Sequence, residues 1–91
     1  MNKDLIIGQI AGQAKLIREQ ARNRQKDCFK SAKSFAKSVL KKYDDYAAGN
    51  LAEYADECLS NYGYDKEYAC DSLIRYLEQY TDDVIRTILA D

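Results

Sequence analysis

The sequence predicts an all-α protein, and three observations support this fold class. Proline is absent and the four glycines fall in two pairs, so few residues interrupt a helix. Apolar residues recur with helical spacing along most of the chain, and no segment shows the alternation typical of a strand. We expect one helical domain over residues 1–91, with a thin core because a chain this short buries only about 60–65% of its unfolded surface.

The first predicted element is one long amphipathic helix over about residues 3–47. Its apolar positions keep a single phase on a helical wheel. These positions are Ile6, Ile10, Ala14, Ile17, Ala21, Cys28, Ala32, Phe35, Val39 and Tyr43. Arg24 and Gln25 interrupt this stripe once. They leave open a rival, a corner at residues 23–27 in which Asn23 or Asp27 caps a second helix.

A second helix is expected at about residues 50–62. Gly49 is of the type that ends a helix, so it should close the first element. Asn50 and Glu53 have the spacing of a capping box, with Asn in place of Ser or Thr. The second helix should therefore begin at Asn50.

A third helix is expected at about residues 65–90. Gly63 should stop the second helix, and Asp65 is a suitable N-cap for the third. A break at residues 81–83 is the alternative, but the apolar phase continues through that segment. The sequence therefore favours one continuous C-terminal helix.

The predicted lengths favour an elongated hairpin that forms a homodimer. The helix over 3–47 would span about 67 Å and the two later helices roughly 58 Å, so the latter would pack back along the former. This hairpin leaves Leu5, Ile7, Phe29 and Leu40 uncovered. A second copy would cover them in a four-helix arrangement. With a corner at 23–27, a monomeric four-helix bundle replaces this prediction.

Residue types that carry catalysis or bind metals are scarce. The chain has no His, and Cys28, Cys58 and Cys70 are isolated from one another in sequence. All three lie on apolar stripes, so we expect buried thiols and no metal site. Glu53 and Glu57 have the spacing of carboxylate-bridged metal sites but lack the Glu-x-x-His partner. With no phosphate-cradling loop either, the sequence predicts a protein that is not an enzyme and binds no cofactor.

No membrane or targeting segment is predicted. The apolar run over residues 5–11 is too short and is interrupted by Gln9. Gly8 and Gly12 form a GxxxG motif, which we expect to permit close approach of another helix in the bundle. The sequence thus predicts a cytoplasmic protein that does not contact a membrane.

Charge is divided between the two halves of the chain. Residues 1–42 carry a net charge of +8 and residues 43–91 a net charge of −9. Eight cations share one face of the predicted long helix, over roughly 39 Å. They are Lys15, Arg18, Arg22, Lys26, Lys30, Lys33, Lys37 and Lys41. Such a stripe is a solvated face, a surface that follows phosphates, or a contact for an acidic protein partner or an anionic membrane. It lacks the aromatic residues that stack on single strands.

The acidic half also contains all eight tyrosines. Tyrosine is favoured at interfaces because it combines apolar area with a polar tip. Tyr62, Tyr76 and Tyr80 lie on or beside apolar stripes and are expected at the edge of the core. The predicted protein-contact residues are Tyr46, Tyr54, Asp56, Glu57, Tyr64, Asp65 and Tyr68.

These features predict a small, non-catalytic interaction protein that binds a larger macromolecular partner and inhibits it. The expected partner is a basic protein that handles nucleic acid, and the chain fits the general type of phage or mobile-element inhibitors of nucleoprotein machinery. The alternative is a nucleic-acid-binding helical dimer that uses the stripe from Lys15 to Lys41.

Overall fold

The computed structural model describes residues 2–91 and contains four α-helices joined by short connections. The helices are α1 (Lys3–Arg22), α2 (Asp27–Ser38), α3 (Asp45–Asn61) and α4 (Lys66–Ala90), with a 3-10 turn (Leu40–Lys42) before α3. Over the described residues there is no strand. The predicted all-α class is confirmed.

The helices pack in cyclic order, each against its neighbours in the chain, and α1 also packs against α4. Arg18 pairs with Glu78 and Arg24 pairs with Asp71, so α1 and α4 run antiparallel. The bundle measures 43 × 22 × 17 Å. The bundle is therefore shorter than the predicted hairpin. Because the helices pack in cyclic order, the side between α1 and α2 lies opposite the side between α3 and α4.

The predicted helix over 3–47 is wrong, and the rival corner is observed. Arg24 has φ 56°, in the left-handed region, which ends α1. Asn23 is the C-cap of α1 rather than the cap of α2. Asp27 is the first residue of α2, whose N-cap Lys26 makes no side-chain cap bond. The corner has about the length of one helical turn, so the apolar stripe keeps its phase across it.

The predicted start of the second helix at residue 50 is also wrong, because Asp44 caps α3 earlier. The Asp44 carboxylate accepts a hydrogen bond from the Ala47 N–H at 3.0 Å and another from the Thr87 hydroxyl at 2.9 Å. Gly49 and Asn50 lie inside α3. A satisfied cap at Asp44 lets the helix run through both residues.

The last helix follows its prediction. Asp65 caps α4 by accepting a hydrogen bond from the Tyr68 N–H at 2.9 Å. α4 continues through residues 81–83 without a break. Gly63 lies in the turn between α3 and α4.

The core is one cluster of apolar side chains to which all four helices contribute. Its largest fully buried apolar side chains are Phe29, Ile10, Leu40, Leu51, Leu73, Leu77 and Val84. A dimer was expected to cover four apolar residues, and two of them, Phe29 and Leu40, are buried within the single chain. These two residues therefore no longer support a dimer. Cys28, Cys58 and Cys70 are buried free thiols, as predicted.

The GxxxG motif does not bring two helices together within this chain. Gly8 and Gly12 lie on the outer face of α1, and a Cβ added at either glycine would meet no atom within 4 Å. The buried face of α1 is formed instead by Ile10, Ile17 and Ala21.

Candidate protein-interaction surface

Three tyrosine rings stack where α3 packs on α4. The Tyr54 ring lies nearly parallel to that of Tyr76, with centroids 4.3 Å apart, and to that of Tyr80, with centroids 6.0 Å apart. Tyr76 and Tyr80 are four residues apart, so both project from one side of α4. The stack is a rigid, partly exposed aromatic surface in the middle of the α3–α4 side.

Two exposed tyrosines extend this stack towards both ends of the bundle. Tyr46, in the first turn of α3, is 81% exposed. Burial raises the pKa of the Tyr80 hydroxyl, with further contributions from the nearby Tyr54 and Tyr46. Tyr68, near the start of α4, is 58% exposed and lines a shallow cleft with Tyr76. We call these five side chains the tyrosine seam.

Unpaired carboxylates border the tyrosine seam. Tyr46, Glu53 and Glu57 recur with helical spacing on α3, so they share its outer face. Glu57 also lines the cleft that contains Tyr68. Neither glutamate forms an ion pair with any residue from 2 to 91. The α3–α4 side therefore presents aromatic area beside two glutamates that form no ion pair within the described residues.

The structure brings together some of the predicted contact residues and separates others. Tyr46, Tyr54, Glu57 and Tyr68 lie in or beside the tyrosine seam. Asp56 instead faces α2, where its carboxylate lies 2.8 Å from the Lys33 ammonium. Asp65 is occupied as the cap of α4, and Tyr64, 93% exposed, lies in the connection between the two helices.

Sequence reasoning placed Tyr76 and Tyr80 at the edge of the core and left them out of the contact set. Tyr80 is indeed only 8% exposed. Their spacing on one face of α4 was visible in the sequence, but the antiparallel register that brings them to Tyr54 was not. Tyr62 has a structural role instead, since its hydroxyl donates to the Arg24 carbonyl at 3.0 Å and its ring meets Phe29 edge-on.

The predicted basic stripe is interrupted at the corner, and three of its eight members contact other side chains within the described residues, whereas Lys15 and Arg22 on α1 are exposed and form no ion pair there. On α1, Arg18 turns towards α4 and pairs with Glu78 at 3.5 Å. On α2, Lys33 forms an ion pair with Asp56. At the N-cap of α2, the Lys26 ammonium lies 5.8 Å from the centroid of the Tyr62 ring.

Three cations remain on the outer face of α2 and the turn that follows it. They are Lys30, Lys37 and Lys41, all exposed and without an ion pair in the described chain. We call them the lysine ridge, which spans roughly 16 Å. This is less than half the length expected of the stripe.

The three cysteines are buried free thiols. Burial, together with the neighbouring Cys70 thiol, raises the pKa of Cys28 to about 12. Burial also raises the pKa of Cys58. Thiolates are the nucleophilic and metal-binding form of cysteine, so these raised pKa values disfavour the reactive form of Cys28 and Cys58 at neutral pH. No group of metal-ligating side chains is found among residues 2–91.

Comparisons of the chain with protein-family models, with curated protein sequences and with solved structures find no match. Within the described residues, no helix combines the length and the apolar character needed to cross a membrane.

Proposed function

We propose that this chain is a binding protein whose α3–α4 side docks on a basic surface of a larger cytoplasmic protein. The observation that carries the proposal is the tyrosine seam with its unpaired glutamates. Tyr46 and Tyr68 offer large exposed contact area, and tyrosine is enriched among residues that dominate binding energy. Glu53 and Glu57 supply the charge that selects a basic partner.

The effect that we propose is inhibition. A basic surface that normally holds nucleic acid is matched by an acidic face with stacked aromatic rings, since nucleic acids present phosphates beside stacked bases. Occupation of such a surface by the α3–α4 side would exclude the nucleic acid by competition. A viral or mobile-element origin would suit this role.

We also propose that the working unit is a monomer. The dimer was predicted for a long hairpin, and the monomeric bundle was the alternative attached to a corner at 23–27. That corner is present, and the bundle buries Phe29 and Leu40 within one chain.

The test is capture of the partner with tagged full-length protein from the native host. We expect Tyr46→Ala combined with Tyr68→Ala to weaken capture at least tenfold, because both side chains are exposed and contribute contact area without supporting the core. Glu53→Lys combined with Glu57→Lys should also weaken capture of the partner, and by a larger factor at low salt than the tyrosine changes do. The captured partner should then lose nucleic-acid binding when the wild-type chain is added.

The matched control reverses two carboxylates elsewhere. Asp4→Lys combined with Glu19→Lys makes the same change in net charge on α1, away from the tyrosine seam, and should leave capture within twofold of wild type. Capture that is equally weakened by the control, or unaffected by the Tyr46 and Tyr68 changes, would contradict the proposal.

Nucleic-acid binding remains the second candidate, favoured by the unpaired lysine ridge. An electrophoretic shift assay across salt concentrations tests it on duplex and single-stranded probes. Binding by this route would be strong at 50 mM salt, fall steeply with added salt, and be abolished by Lys30→Glu, Lys33→Glu and Lys37→Glu together. We expect no shift, because the ridge contains only three unpaired cations; a shift removed by the triple change would favour the second candidate.

A further inference from the structure

An open groove runs between α1 and α2, on the side opposite the tyrosine seam. Its volume is about 610 Å³. From α1 it is lined by Leu16 and Ile17, from α2 by Phe35, and just after α2 by its C-cap residue Val39. Leu16 is 64% exposed, the least covered large apolar side chain along this groove. Ile17 and Phe35 are buried at the floor of the groove, so Leu16 and the half-buried Val39 are the apolar lining residues that the chain leaves open to solvent.

Uncharged polar groups form the walls of the groove. Ser31, Ser34 and Ser38 lie along the α2 wall at spacings of three and four residues. On the α1 wall, the buried Oε1 atom of Gln20 has no hydrogen-bond partner. Short serines leave room for another backbone to approach closely, and an unpaired buried acceptor costs free energy until a donor reaches it.

Lysines border the groove on its α2 side. Lys30, the first member of the lysine ridge, lines the groove, and Lys37 and Lys41 continue along the outer face of α2. Asp27 is the one carboxylate in the lining, and it lies at the end next to the corner. The α2 wall covers residues 27–39, or roughly 18 Å, which matches about twelve residues of a helix.

We propose that this groove is a docking site for an acidic amphipathic helix of a partner protein. The apolar stripe of that helix would cover Leu16 and Val39 above the buried Phe35, and its acidic flank would lie along the lysine ridge. This is the helix-in-groove mode, in which a few aliphatic anchors carry the affinity and charge sets the orientation. The site is independent of the tyrosine seam, so the chain would hold two partners on opposite sides.

The probe is a displayed library of 16-residue amphipathic helices with an aliphatic stripe. Their flanks are randomised among Glu, Lys, Gln and Ser, so the library carries no bias in charge. Selection on the full-length chain is followed by removal of every clone that also binds Ser34→Tyr, which fills the groove from an exposed position. The surviving clones should be enriched in Glu on one flank.

Synthetic survivors then give the quantitative result by fluorescence anisotropy. We expect at least a tenfold loss of affinity for Ser34→Tyr, for Ser38→Tyr, and for Lys30→Glu combined with Lys37→Glu. Ser60→Tyr on α3, and Lys15→Glu combined with Lys66→Glu, are the matched controls and should stay within twofold of wild type. Circular dichroism checks that each variant is folded, and Ser38→Tyr replaces Ser34→Tyr if the latter unfolds.

Three results would overturn the proposal. The first is the absence of survivors after the Ser34→Tyr step, and the second is a set of survivors without acidic enrichment. The third is a wild-type chain that is dimeric while Ser34→Tyr is monomeric, because a second copy would then cover the groove. Loss of binding at the tyrosine seam leaves all three results unchanged, so the two proposals fail separately.

Discussion

Tyr62 and Tyr64 are close in sequence but differ completely in what their side chains do. The Tyr62 ring packs edge-on against Phe29, and its hydroxyl donates to the carbonyl of Arg24 in the corner. This hydrogen bond joins the α3–α4 turn to the α1–α2 corner. Tyr64 projects into solvent. At the scale of single residues, some tyrosines of this chain therefore stabilise the fold and others form its exposed surface.

Removal of one hydroxyl should separate these two roles. Tyr62→Phe keeps the ring contact but leaves the Arg24 carbonyl without its partner, which costs about 1 kcal/mol. The midpoint of thermal unfolding should fall by about 4–8 °C for a domain of this size. Tyr64→Phe is the control and should not change the midpoint. Equal midpoints for the two variants would show that the Tyr62 hydroxyl contributes nothing.

The corner between α1 and α2 decides the arrangement of the four helices. It depends on Arg24 in the left-handed region, a conformation that is unfavourable for a residue with a Cβ and easy for glycine. The Arg24 side chain partly compensates by pairing with Asp71 at 2.8 Å and by donating to the Ala21 carbonyl. One residue thus closes α1 and also ties it to α4.

Two substitutions at this position isolate the backbone contribution. Arg24→Gly and Arg24→Val both lose the side-chain contacts with Asp71 and the Ala21 carbonyl and keep the backbone bond to that carbonyl. The positive φ is unfavourable only for valine. We expect the glycine variant to melt roughly 5–10 °C above the valine variant. Thermal unfolding followed by circular dichroism measures the difference, and equal melting temperatures would mean that the corner is not strained.

The elements differ in how far the sequence predicts them. The apolar stripes, the Asp65 cap and the end of the second helix could be predicted, because each depends on local spacing or local capping. The corner could be named only as an alternative to a continuous helix, since a four-residue interruption preserves helical phase and the deciding φ at Arg24 belongs to a residue type that rarely adopts it. The start of α3 was missed because a suitable cap, Asp44, competes with a helix breaker, Gly49.

The candidate site was predictable in composition rather than in geometry. The joint presence of tyrosines and carboxylates in the second half indicated a contact surface. Which of them meet depends on the antiparallel register of α3 and α4, a long-range property. That register brings Tyr54 to Tyr76 and turns Asp56 away towards Lys33.

At the scale of the whole molecule, the fold buries one continuous apolar core within one chain and leaves the groove between α1 and α2 partly open. All four helices supply the core, and it buries Phe29 and Leu40, which a second copy was expected to cover. Leu5, Leu16 and Leu89 are the exposed leucines that remain at or above 60% exposure. They are distributed over α1 and the end of α4.

The mass in solution should therefore be that of a single chain. Size-exclusion chromatography with light scattering at tens of micromolar should give 10.4 kDa. Leu16→Glu should leave the mass unchanged, because it removes an exposed apolar group that no second copy covers. A mass of twice this value that Leu16→Glu halves would contradict the monomer.

The placement of α2 opposite the tyrosine seam also makes the molecule an electric dipole. Its net charge is only −1, so charge alone predicts almost no effect of ionic strength on how fast it meets a partner. Separated charges still produce a field that extends over about a Debye length, roughly 10 Å at 0.1 M salt. The electric field of a charged partner would orient this molecule before contact. Association rates measured by stopped flow should therefore fall as salt is added, whereas dissociation rates should stay nearly constant.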